Sequence, residues 1–139
     1  MSSFQSSALK CACAALTAAI LGCGPRDGSK EFEKGKEAYG LRDLKKAAQL
    51  FERSVVLAPQ DVDRLLYLAR TELELGELAK AKDAVERIAE GDADVTLLKA
   101  QVAWHAKDYK AAADGFAAVA NDAKLDASVR AQGWSGLGV

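Results

Sequence analysis

Proline occurs only twice in these 139 residues, at Pro25 and Pro59, and aromatic side chains make up 6% of the chain. Proline is the strongest helix breaker, so its scarcity leaves long stretches free to be helical. Few aromatics exclude a large core built on rings and suit thin layers packed through small residues. Histidine is rarer still: His105 stands alone, which excludes a histidine-pair metal site. No G-x-S-x-G, P-loop or H-E-x-x-H motif occurs. Carboxylates sit near basic residues on helix faces, as Glu33 and Glu37 do near Lys36 and Glu86 does a turn from Lys82. That spacing marks solvated helix pairs rather than acid–base chemistry. No catalytic constellation is present; neither an enzyme nor a cofactor nor a metal is expected.

Charge of neither sign predominates. The 19 basic and 20 acidic residues leave a formal net charge of −1 without a block of like charge. Nothing therefore points to nucleic acid or to a broadly anionic surface. The three cysteines, Cys11, Cys13 and Cys23, all lie near the amino terminus, so the rest of the chain holds no disulfide framework.

That amino-terminal segment is set apart by composition. Residues 1–10 are polar with one basic side chain, and residues 11–22 form a short, uncharged, largely apolar run. Spanning a bilayer takes about 20 apolar residues, so this run is too short; it has the size of a signal-peptide hydrophobic region. It ends in Ile20-Leu21-Gly22-Cys23. This motif resembles the lipobox of bacterial lipoproteins, with Leu21 larger than the residue commoner there. The resemblance implies that residues 1–22 are removed, that Cys23 is lipidated, and that residues 23–29 form a tether. Gly24, a residue other than Asp after the Cys, implies the outer membrane, with the chain facing the periplasm.

What is abundant is helical patterning. Leu65, Leu68, Ala69 and Leu73 lie on one face, and Leu78, Ala81, Val85 and Ile88 on another, joined at Gly76. Both sets follow the i, i+3, i+4 spacing of amphipathic helices. The pattern recurs. Gly35, Ala69 and Ala100 hold one small position, Ala47, Ala81 and Ala112 a second, and Phe51, Val85 and Phe116 a large apolar one. The third member of each set follows the second a little sooner than the second follows the first. Leu44, Leu78 and Tyr109 each precede the second Ala by three. Asp61, Asp92 and Asp126 stand where first helices would begin and can cap them.

A helix–turn–helix unit recurring at about 34 residues resembles the tetratricopeptide repeat. The resemblance implies an all-α fold, a tetratricopeptide-type α-solenoid of antiparallel helix pairs. Three repeats are expected within 30–121, at about 28–61, 62–92 and 93–123, the third short by three residues at its start. Residues 124–139 are expected to give the first helix of a partial fourth, because Trp134-x-x-Leu137-Gly138 resembles the opening of a repeat.

Solenoids of this kind expose their first helices along a concave surface. By the resemblance, the groove residues are Phe32, Lys36 and Tyr39, then Asp63, Leu66, Arg70, Leu73 and Glu74, then Asp94, Leu98, Gln101, Trp104 and His105. Tyr39, Leu73 and Trp104 take one equivalent position and are expected to form an apolar line; burial of the leucines and aromatics between helices is the alternative. Phe32 and Lys36 replace the Lys and Asn of the carboxylate clamp found in some relatives, so a chaperone-tail binder is not expected. The reading is a lipid-anchored adaptor that binds a protein or peptide partner in the periplasm, within an envelope assembly complex. The alternative is an N-terminal structural segment of a longer repeat protein whose main function lies beyond Val139.

Overall fold

In the computed structural model, which describes residues 26–138, the chain is all-α: the described residues form seven helices and no strand. Helices α1 (Ser29–Gly40) and α2 (Leu44–Leu57), α3 (Val62–Leu75) and α4 (Leu78–Glu86), and α5 (Ala93–His105) and α6 (Tyr109–Ala120) form three hairpins, and α7 (Ala127–Gly136) follows. Each helix packs on its sequence neighbours, and α3 also meets α5, and α5 meets α7, along one side. That is the expected solenoid of helix pairs. The Ile20–Cys23 motif and the tether as far as Pro25 lie outside the described residues.

The hairpins close by one device repeated in register. Arg42, Gly76 and Lys107 adopt left-handed backbone with φ of 62°, 82° and 64°. The amides that follow, of Asp43, Glu77 and Asp108, donate to the carbonyls of Ala38, Glu72 and Ala103 at 2.8–2.9 Å. This closure satisfies helix-end carbonyls that would otherwise be orphaned. Leu44, Leu78 and Tyr109 then open the second helices.

Packing follows the small positions. Gly35, Ala69, Ala100, Ala47, Ala81 and Ala112 are all buried, as are Phe51, Val85 and Phe116. At Gly35 a methyl group would come within 2.5 Å of the Phe51 ring, so only hydrogen lets α1 approach α2. At the amino end Arg64, 7% exposed, donates to the carbonyls of Asp27 and Ser54 and pairs with Asp61 at 3.0 Å, tying the chain before α1 to α2 and α3.

Three details depart from the sequence pattern. The three-residue deficit falls in α4 and the connection after it, not at the start of α5. Helix α4 has 9 residues against 14 in α2, and Ile88, expected on its apolar face, is buried just beyond it. The Lys99 ammonium caps the Ile88 carbonyl at 2.6 Å. Second, the Asp61 and Asp92 side chains accept amide hydrogens at 3.0–3.2 Å, whereas Asp126 stands at the N-cap of α7 without a side-chain cap bond. Third, of the named residues of the Trp134-x-x-Leu137-Gly138 motif only Trp134 lies within α7, and Leu137 is its C-cap. Gly138, beyond the helix, has a φ of 78°.

Candidate functional site

The first helices define a groove on one side of the stack. Arg70, Leu73 and Glu74 of α3 face Asp94, Leu98 and Gln101 of α5 across a hollow of 420 Å³. A second hollow of 490 Å³ continues between α5 and α7, lined by Gln101, Trp104, Gln132, Ser135 and Leu137 over the edge of Phe116. Leu97, Gln101 and Gln132 line both, so the two are one channel. Its walls mix amide, carboxylate and guanidinium groups with leucines and one exposed indole.

Trp104 is 53% exposed and stacks edge-on against Tyr109, 55% exposed, with ring centroids 5.1 Å apart. Helix geometry explains the pair: Trp104 lies at the end of α5, and the left-handed turn at Lys107 brings the first residue of α6 back beside it. Two large rings held against each other in water give a rigid apolar surface with little rotamer freedom left to lose on binding.

The residues expected in the groove divide into three groups. Arg70, Leu73, Glu74, Asp94, Leu98, Gln101 and Trp104 line the channel. Phe32, Lys36, Tyr39 and Leu66 do not. Leu66 is buried at 8% exposure. Phe32 leans on Phe51 and Tyr67, at centroid distances of 5.7 and 5.4 Å, beneath the Lys36 ammonium, which pairs with Glu33 at 2.7 Å. Tyr39 meets Tyr67 edge-on at 6.1 Å and donates its hydroxyl to Glu74. These rings close the first pair onto the second, so their apolar surface is spent inside the stack. The third group, His105 and Asp63, is exposed and outside both hollows.

Glu74 is held twice. Tyr39 donates from α1, and Arg42 reaches it at 2.6 Å from the first turn. Burial alone would raise its carboxyl, but these hydrogen bonds outweigh burial and hold it below the usual range. The Tyr39 hydroxyl is pushed up to about 12, first by burial and then by its bond to the carboxylate.

Patterning missed several groove residues, among them Leu97 and Gln132, which line both hollows. Leu97 looks like one more apolar residue of α5. Gln132 is a polar residue of α7 that no repeat position marks.

Against this geometry, residues 38–94 match the family model of the tetratricopeptide repeat. The chain is also 38% identical over 63 residues to the TPR repeat-containing protein YvcD of Bacillus subtilis (strain 168). That alignment covers 45% of this chain and 13% of the relative, so the chain spans a small part of that protein's length.

Proposed function

We propose that this chain is a lipid-anchored scaffold that holds a protein partner in the channel between α3, α5 and α7. The observation that carries the reading is the channel itself, with its mixed polar and apolar walls and the exposed Trp104–Tyr109 pair at its rim. Aromatic and arginine side chains dominate binding energy at protein interfaces, and Trp104 and Arg70 supply one of each. The match to tetratricopeptide repeats, generally protein-interaction modules, supports the same reading.

The anchor rests on Ile20-Leu21-Gly22-Cys23. Three acyl chains on one cysteine hold a protein firmly at a bilayer, where one binds only marginally. Gly24 after the cysteine favours the outer membrane, with the groove in the periplasm, where an envelope assembly complex would supply the partner.

Site-specific photo-crosslinking tests the groove. A photoreactive residue at Gln101 is expected to capture a discrete partner, whereas one at Lys46, exposed on α2, is not; Trp104→Ala should abolish the Gln101 product. Equal products from both positions, or none from Gln101, would remove the channel from the function. Cys23→Ser separately tests the anchor. It should abolish fatty-acid labelling and membrane partition.

A further inference from the structure

A second cleft, of 620 Å³, opens between α2 and α4, away from the channel, with α3 as its floor. The floor is Leu68 and Glu72, and Val55 and Val56 form one wall. Glu72 is 1% exposed, and neither of its carboxylate oxygens has a hydrogen-bond partner. An unsatisfied buried carboxylate is costly and calls for a reason.

Stacking supplies none. The register places Ala38 and Ala103 at the same point of the neighbouring first helices, so the repeat closes around a methyl group there. Nor does Lys80 resolve the charge. Its ammonium lies 3.6 Å from one Glu72 oxygen and 3.3 Å from Glu52, serving two carboxylates at once. Asp83 adds a third carboxylate to the lining, while the other cation of the lining, Arg87, is engaged with the Pro59 carbonyl at 3.3 Å. The cleft is thus short of one positive charge. Burial holds the Glu72 carboxyl above the usual range, with Lys80 opposing only in part.

We propose that this cleft is a docking site for an arginine side chain of a protein partner, with the guanidinium seated on Glu72. Three features select that group. Both oxygens are unsatisfied, and a guanidinium presents two parallel N–H donors to them. A lysine ammonium fits less well, since Lys80 in place reaches only one oxygen. The walls at Val55, Val56 and Leu68 suit an aliphatic stem. Lys80, 57% exposed, swings outward to keep Glu52 as the arginine enters. The site is separate from the channel, so its failure would leave the channel reading standing.

The test uses the full chain and N-acetyl-arginine N-methylamide as probe, followed by ¹⁵N chemical shifts. Saturable shifts are expected at Val56, Lys80 and Ala84. Glu72→Gln, with its fold checked in the same spectra, should weaken binding about tenfold or more, the worth of a charge-assisted pair. The citrulline analogue, alike in shape but uncharged, should bind as poorly, and the lysine analogue less well than arginine. Lys80→Ala removes the competing ammonium and should strengthen arginine binding severalfold. No saturable shift, equal binding in Glu72→Gln, equal binding of citrulline or lysine, or no gain in Lys80→Ala would each overturn the proposal.

Discussion

The Tyr39 hydroxyl of α1 donates to the Glu74 carboxylate of α3, joining two helices that are distant in sequence. Arg42 holds the same carboxylate from the turn after α1. One groove residue is therefore fixed by another that patterning places in the groove beside it. The bond couples the rim of the channel to the packing of the first two helix pairs.

The coupling has a pH signature. The folded Tyr39 hydroxyl titrates near 12 instead of its ordinary 10.0. Between those values the folded chain keeps a proton that the unfolded chain has lost, so stability falls as pH rises through the window. Wild type should lose more stability there, by urea midpoint, than Tyr39→Phe. An absorbance step of tyrosinate near pH 12 should be missing from the variant. Identical pH profiles would mean that the Tyr39–Glu74 bond does not form in solution.

The left-handed turn residues offer a second test. Arg42 and Lys107 hold positive φ without being glycine, while Gly76 does so at no steric cost. A side chain in that conformation costs about 1–2 kcal/mol. Lys107→Gly should gain roughly 1 kcal/mol in urea unfolding, less whatever glycine forfeits in unfolded-state entropy. Gly76→Ala should lose about as much. A gain from Gly76→Ala would mean that the turn is not left-handed.

Substitutions at Trp104 and Ala81 should cost stability for different reasons. Ala81 is fully buried, and Leu in its place overpacks the contact between α3 and α4 at a cost of about 1–3 kcal/mol. Trp104 is half exposed, so Trp104→Ala should forfeit little beyond its edge contact with Tyr109, about 0.5–1.5 kcal/mol. A fully buried Trp would instead cost about 3–5 kcal/mol. Thermal melting of the two variants separates these cases. A large drop for Trp104→Ala would place the indole in the core and out of the groove.

Glu72 makes the fourth case. Burial raises its folded carboxyl above the unfolded value. Between the two, the folded chain binds the extra proton, so this group's contribution favours folding at low pH and is lost as pH rises through the folded value. Glu72→Gln removes that penalty. The variant's advantage in urea midpoint should grow from about pH 4 to about pH 7, across and above the carboxylate range. A constant difference would mean that Glu72 ionises as freely in the folded chain as in the unfolded one.

The sequence by itself determined the stack. Small residues at Gly35, Ala69, Ala100, Ala47, Ala81 and Ala112 recur because two helices meet closely only where side chains are small, and that demand shows in linear spacing. It also marked most of the channel, since a fixed register puts the same face of each first helix on the same side. Tertiary structure alone decided which exposed positions stay free. Tyr39 and Phe32 fit the groove pattern as well as Trp104 does, yet Tyr67 and Glu74 draw them into the first interface. Nothing in the local pattern of α1 encodes a partner that lies a whole repeat further along the chain. Glu72 was illegible for the same reason. Its place on α3 is visible in the sequence, but its burial under Lys80 and the open cleft above it arise only when α2 and α4 close around it.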